Sequence, residues 1–251
     1  MKKMMYVLLG LMAIGFSACS PDEEPIDQNE ATASSLKITM DHKMGSADMA
    51  YNEDLILPSL ESVQMSRLSY LLGGFYLIDG NNNKVPLAGQ YALIEAHKGD
   101  VTFTLTDIPF GNYTSVGFSI GLDSITNHGN PNQYAADHPL SPINNSLHWN
   151  WTGGYIFTAL EGKVVKDDET FVFHLAGAQN RLDFEMPAVF STSATDADKT
   201  AVITYDISEV FKNPEIFTIA EDGTSSHSTT SPVTVKLIRN MSDVFTKFEV
   251  N

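Results

Sequence analysis

The chain has 251 residues, a single cysteine and a formal charge of −16, from 31 acidic against 15 basic side chains. A chain this acidic does not hold nucleic acid through its phosphates, and it has no basic excess with which to dock on anionic headgroups. With Cys19 alone, an intramolecular disulfide, a thiolate zinc centre and an iron–sulfur cluster are excluded.

The first residues read as a leader. Lys2 and Lys3 precede an apolar stretch from Tyr6 to Phe16 that is too short to span a bilayer, and Ser17-Ala18-Cys19 follows. Residues 1–19 are therefore expected to be a lipoprotein signal peptide ending at a lipobox, with Cys19 acylated. Loss of Lys2 and Lys3 would leave 13 basic residues against 31 acidic ones, a formal −18. Ser20-Pro21-Asp22-Glu23-Glu24 resembles the acidic export tag of Bacteroidota-type lipoproteins, and residues 20–34 are expected to be a flexible acidic tether. The expected place is the outer membrane, facing the periplasm or the cell surface, since more than one acyl chain gives stable anchoring.

Residues 35–251 read as one domain without repeats or low-complexity tracts, large enough to bury roughly 70–75% of its unfolded surface. Strands are expected at Leu36–Met40, Ser69–Ile78, Tyr91–Glu95 and, by strict alternation, around Val101-Phe103-Leu105 and Val116-Phe118-Ile120. Trp149–Leu160, Thr170–Ala176, Leu182-Phe184-Met186 and Ala201–Asp206 continue the pattern. Turn signals such as Asp79-Gly80-Asn81, Lys98-Gly99-Asp100 and Phe110-Gly111-Asn112 separate them. This predicts an all-β antiparallel sandwich. One short helical turn is expected at Ile207–Lys212. A C-terminal helix is expected after the cap pair Ser231-Pro232, with Val233, Leu237, Met241, Val244 and Phe245 as its core stripe.

The connection from Asp123 to Leu147 has no period, and loops of that length inside compact domains are usually functional or disordered. It carries His128 and His138 and runs into His148-Trp149-Asn150-Trp151. Both tryptophans and three of the seven histidines thus fall within one segment, and imidazole is a ligand for copper, zinc, iron and nickel. If Trp149–Leu160 is one strand, Trp149 and Trp151 share a face. His174 alternates with Phe171, Phe173 and Leu175 and should face away from them. His42 follows the first strand. His97 and His227 stand in polar turns and are left out of the candidate site. There is no GxSxG, no HExxH and no glycine-rich loop between strand and helix, so no enzyme class is indicated.

These residues resemble the MbnP-like (CorA-type) copper-binding proteins. The resemblance rests on Leu36-Lys-Ile-Thr-Met-Asp-His42, Met65-Ser-Arg67-Leu-Ser-Tyr70, Gly117 to His128, Leu140-Ser-Pro, Trp149-Asn-Trp151-Thr-Gly-Gly-Tyr155 and Phe173-His174-Leu-Ala-Gly177. It implies one copper ion, preferably Cu(I), held by two histidines and a kynurenine made from tryptophan by a di-haem cytochrome c peroxidase-like partner. The matching positions are His42, His128 and His174 as candidate ligands and Trp149 and Trp151 as candidates for oxidation. Which two imidazoles and which ring serve is left open. His148 stands where the family usually has an aromatic residue and is an additional candidate ligand. The cysteine common after the Phe-His-Leu motif is absent. The expected function is a non-enzymatic copper-binding lipoprotein in copper uptake or buffering. The alternative is a metal-free surface lipoprotein that binds glycans or proteins through exposed indoles.

Overall fold

Alternation sets the strands from the first one onward. In β1 (Ser34–Met44) the inward row runs Ser34, Leu36, Ile38, Met40 and His42, all buried, while Lys37 is exposed and Thr39 and Asp41 are half-buried. The computed structural model describes residues 33–150 and 153–251; the leader with Cys19, nearly all of the tether, and Trp151 lie outside the described residues.

After β1 come the short β2 (Ala47–Asp48) and β3 (Asp54–Ile56), then the long β4 (Ser62–Asp79). β5 (Lys84–Pro86), β6 (Ala92–Glu95), β7 (Thr102–Ile108) and β8 (Gly111–Ile120) follow. Beyond helix α1 (Ser124–Asn127) lie β9 (His148–Asn150), β10 (Gly154–Val164), β11 (Glu169–Ala176), β12 (Leu182–Thr192) and β13 (Asp198–Asp206). The last part holds α2 (Ile219–Asp222), β14 (Ser225–Ser226), α3 (Pro232–Asn240) and β15 (Phe245–Val250).

The strands form an all-β sandwich of two sheets. The smaller runs β15-β13-β1-β2, with β7 also on β1. The larger runs β12-β8-β4-β10-β11-β14, with β3, β5 and β6 on β4 and β9 on β10. Most ladders are antiparallel, as alternation and short turns suggest. β1–β13 and β11–β14 are parallel, pairings between distant segments that no local turn announces. Leu36, Ile38 and Met40 of β1 and Ile203 and Tyr205 of β13 share the core with Leu68, Tyr70 and Leu72 of β4 and with Phe118. Burying each such side chain is worth about 1.5–3 kcal/mol.

Two expectations need correction. Trp149–Leu160 is not one strand: β9 and β10 are separate and pair antiparallel, Gly154 with Asn150 and Tyr155 with His148. The C-terminal helix is also shorter than its apolar stripe. Ser231 caps α3 by accepting from the Thr234 amide at 3.1 Å, and Pro232 occupies the first turn. The helix then ends at Asn240, whose amide donates to the Val210 and Glu215 carbonyls at 3.0 and 2.7 Å. Phe245 consequently opens a strand, opposite Tyr205 of β13, instead of closing the helix. The turn at Ile207–Phe211 is a 3₁₀ helix.

The Asp123–Leu147 connection is packed in place. Asp123 caps α1 through Oδ1, which accepts from the Ile125 and Thr126 amides. Leu140 and Leu147 are fully buried, and the Tyr155 hydroxyl donates to the Leu140 carbonyl at 2.6 Å.

Candidate functional site

His174 lies on β11 between Phe173 and Leu175, whose side chains are core. Alternation therefore turns it to the outer face of the larger sheet. There it is level with Ala159 of β10 and Ser69 of β4. Two residues further along β10, on the same face, stands Glu161, paired in register with Arg67. The His174 Nε2 and Glu161 Oε1 are 2.9 Å apart, and Arg67 Nη1 donates to the same oxygen at 2.8 Å. Arg67 also donates through Nη2 to Ser146 Oγ at 2.6 Å and through Nε to Ser69 Oγ at 3.2 Å. Burial raises the Glu161 carboxyl, but the hydrogen bonds from His174 and Arg67 outweigh it and hold its pKa below the ordinary value.

Parallel pairing of β14 with Val172 and Phe173 delivers the next residue, His227, beside His174. Their ring centroids are 4.9 Å apart at an interplanar angle of 75°. Trp149 of β9 completes the corner, 6.5 Å from the centroid of each imidazole, tilted to His174 and near-parallel to His227. Trp149 is half-buried against the core and His227 is exposed. The His174 Nδ1 is buried and has no hydrogen-bonding partner among the described residues.

The other expected residues lie elsewhere. His42 belongs to the inward row of β1, and its Nε2 meets the Tyr70 hydroxyl at 2.9 Å. Tyr70 is level with Thr158 and, beyond it, with Leu175. His42, on the smaller sheet, therefore packs against the inner face of the larger sheet, whereas His174 stands on its outer face. Burial drives the His42 pKa down to about 4, against a smaller upward pull from Asp41. His128 is exposed; its Nδ1 lies 2.9 Å from the Ser124 carbonyl. It adjoins Asn127, which is buried and accepts from the Tyr155 amide at 2.9 Å at the start of β10. His148 packs edge-on against Tyr155 at 4.6 Å, and burial lowers its pKa. Cys19 and Trp151 fall outside the described residues.

The structure thus joins one of the three expected imidazoles to one that sequence reasoning passed over. Nothing in the polar run Gly223–Thr230 marks His227, because its position comes from a two-residue parallel strand. Among the described residues no group of three or more His, Cys, Asp or Glu side chains has the arrangement of a metal site. Two imidazoles remain, with ring centroids 4.9 Å apart. With imidazole–metal bonds of about 2.0–2.1 Å, two rings on one ion at a tetrahedral angle have centroids roughly 5 Å apart. Among the described residues the Nδ1 of His174 has no partner, so its lone pair could serve a metal.

A family model described as MbnP matches residues 33–231. Among solved structures, MbnP from Methylosinus trichosporium superposes with a TM-score of 0.58, at 16% sequence identity, over 86% of this chain and 98% of that one. No curated protein matches the chain.

Proposed function

The chain belongs to the MbnP family, a copper-related family, and on that premise we propose that it binds a single copper ion at the corner formed by His174, His227 and Trp149. The observation that carries this reading is the buried, unpartnered Nδ1 of His174, beside a second imidazole at 4.9 Å and an indole at 6.5 Å. Imidazole suits copper, and a chain whose one thiol is expected to be acylated must hold the ion without thiolate; Cu(I) is the form the family resemblance implies.

Trp149 is the ring proposed for oxidation. A di-haem cytochrome c peroxidase-like partner would take four electrons from the indole as oxygen from peroxide or water enters at C2 and C3 and their bond breaks, and hydrolysis would then release C2 as formate. Opening the indole to kynurenine exposes an aryl amine and a carbonyl, so a ring without donor lone pairs gains donor atoms. The chain's own residues hold the two imidazoles and bring the indole to them; affinity then depends on whether the partner has acted. The chain is a binding protein in this reading, not an enzyme. Anchored through Cys19 at the outer membrane, it serves copper uptake or buffering. A glycan-binding platform is less well supported, since Trp149 is half-buried near both imidazoles instead of standing out as a stacking surface.

Co-production with the partner, followed by metal analysis and intact mass, tests this. We expect one copper per chain and the mass change of indole opening, both lost in Trp149→Phe. Copper-free protein with unmodified tryptophans would contradict the proposal. Retention of the modification in Trp149→Phe would move the oxidised ring to Trp151.

A further inference from the structure

The hydrogen bonds around His174 admit one proton arrangement. A carboxylate only accepts, and a guanidinium only donates. Glu161 Oε1 receives Arg67 Nη1 at 2.8 Å, and that cation keeps the carboxyl in its accepting form. The same oxygen lies 2.9 Å from His174 Nε2. A bare Nε2 would set lone pair against lone pair, so Nε2 must carry the proton. At the other side of the ring, Nδ1 is buried without an acceptor among the described residues. A proton there would be an orphaned donor, whether the ring were neutral or doubly protonated. Among the described residues, the tautomer with Nε2–H satisfies both sides, and it leaves the Nδ1 lone pair free.

We propose that Glu161, clamped by Arg67, is the positioning residue that fixes this tautomer and makes Nδ1 the ligating nitrogen of His174; the second half rests on the copper reading above. Metal-bound histidines commonly give their other N–H to a carboxylate, which fixes the ring and raises its basicity. Here the carboxylate is itself tied down. Arg67 reaches Ser146 Oγ at 2.6 Å, shortly before Trp149 in the chain, so one guanidinium braces both the imidazole and the segment that brings the indole. Arg67 and Glu161 are both half-buried, which favours a fixed pair over a solvated one.

The test is the ¹⁵N shift of both His174 nitrogens in metal-free protein labelled at histidine, followed by Cu(I) titration. The wild type should show Nε2 protonated and Nδ1 bare. Glu161→Gln keeps an oxygen that can accept from both neighbours and should keep the tautomer. Glu161→Ala removes it and should release a mixture of tautomers, with copper binding weakened about tenfold to a hundredfold. A wild-type ring protonated at Nδ1 overturns the proposal, as does an alanine variant with unchanged shifts. The wild-type measurement stands even if Glu161→Ala fails to fold. If the wild type shows Nε2–H but takes up no copper, the tautomer lock survives and the copper reading falls.

Discussion

Two of the places where this molecule sets histidine against aromatic rings differ in what surrounds the nitrogens. In the core, His42 meets the Tyr70 hydroxyl through Nε2 and lies 5.7 Å from the Tyr205 ring, with burial holding it neutral at a pKa of about 4. On the outer face, His174 has an acceptor carboxylate behind one nitrogen, an unpartnered second nitrogen, and His227 and Trp149 beside it. A carboxylate on the far nitrogen, a spare lone pair on the near one and a second imidazole at about the spacing of a shared ion distinguish the two.

The comparison can be broken most sharply by exchanging the histidines' roles. His174→Ala should abolish stoichiometric copper binding, whereas His42→Gln should leave one copper per chain and lower the melting temperature; metal analysis with thermal denaturation reads both. The next effect is pH-dependent. The unfolded chain takes up a proton at His42 near pH 6.5, which the folded chain refuses until about pH 4. Stability from this group is complete above pH 6.5 and is lost as pH falls through that window, by about 3 kcal/mol for a shift of this size. Urea denaturation across pH 7 to 4 should show a shallower loss in His42→Gln than in the wild type, and equal slopes would refute the assignment. Tyr70→Phe strands the buried His42 Nε2 and should cost about 1–3 kcal/mol. The smallest effect belongs to Tyr205→Phe. Its hydroxyl is buried without a partner among the described residues, so stability should stay level or rise slightly. A Tyr205→Phe loss as large as that of Tyr70→Phe would show that the two hydroxyls are equivalent and the core network misassigned.

How far the sequence foretells this arrangement depends on the range of the interaction. The half-buried strands were legible because Val101-Phe103-Leu105 and Leu36-Ile38-Met40 carry their period locally. The same period, extended two residues beyond Met40, places His42 in the inward row, so its burial was readable although it was expected to follow the strand. Gly153-Gly154 between two strand-like runs is a hairpin signal that outweighs the continuity of Trp149–Leu160. The stripe through Met241 and Phe245 looked helical because spacing alone does not register the buried Asn240 amide that ends α3. His174 was expected to face away from Phe171 and Phe173, and it does. Its company was not legible. His227, Glu161 and Arg67 come from three other strands or their ends, and only sheet pairing sets their register.

The central claim is most directly tested by titrating metal-free protein with Cu(I) while following the imidazole resonances of all seven histidines. The account predicts that His174 and His227 shift together and saturate at one equivalent, with His42 unmoved. Saturating shifts at His42 or His128, with His174 and His227 unchanged, would contradict it.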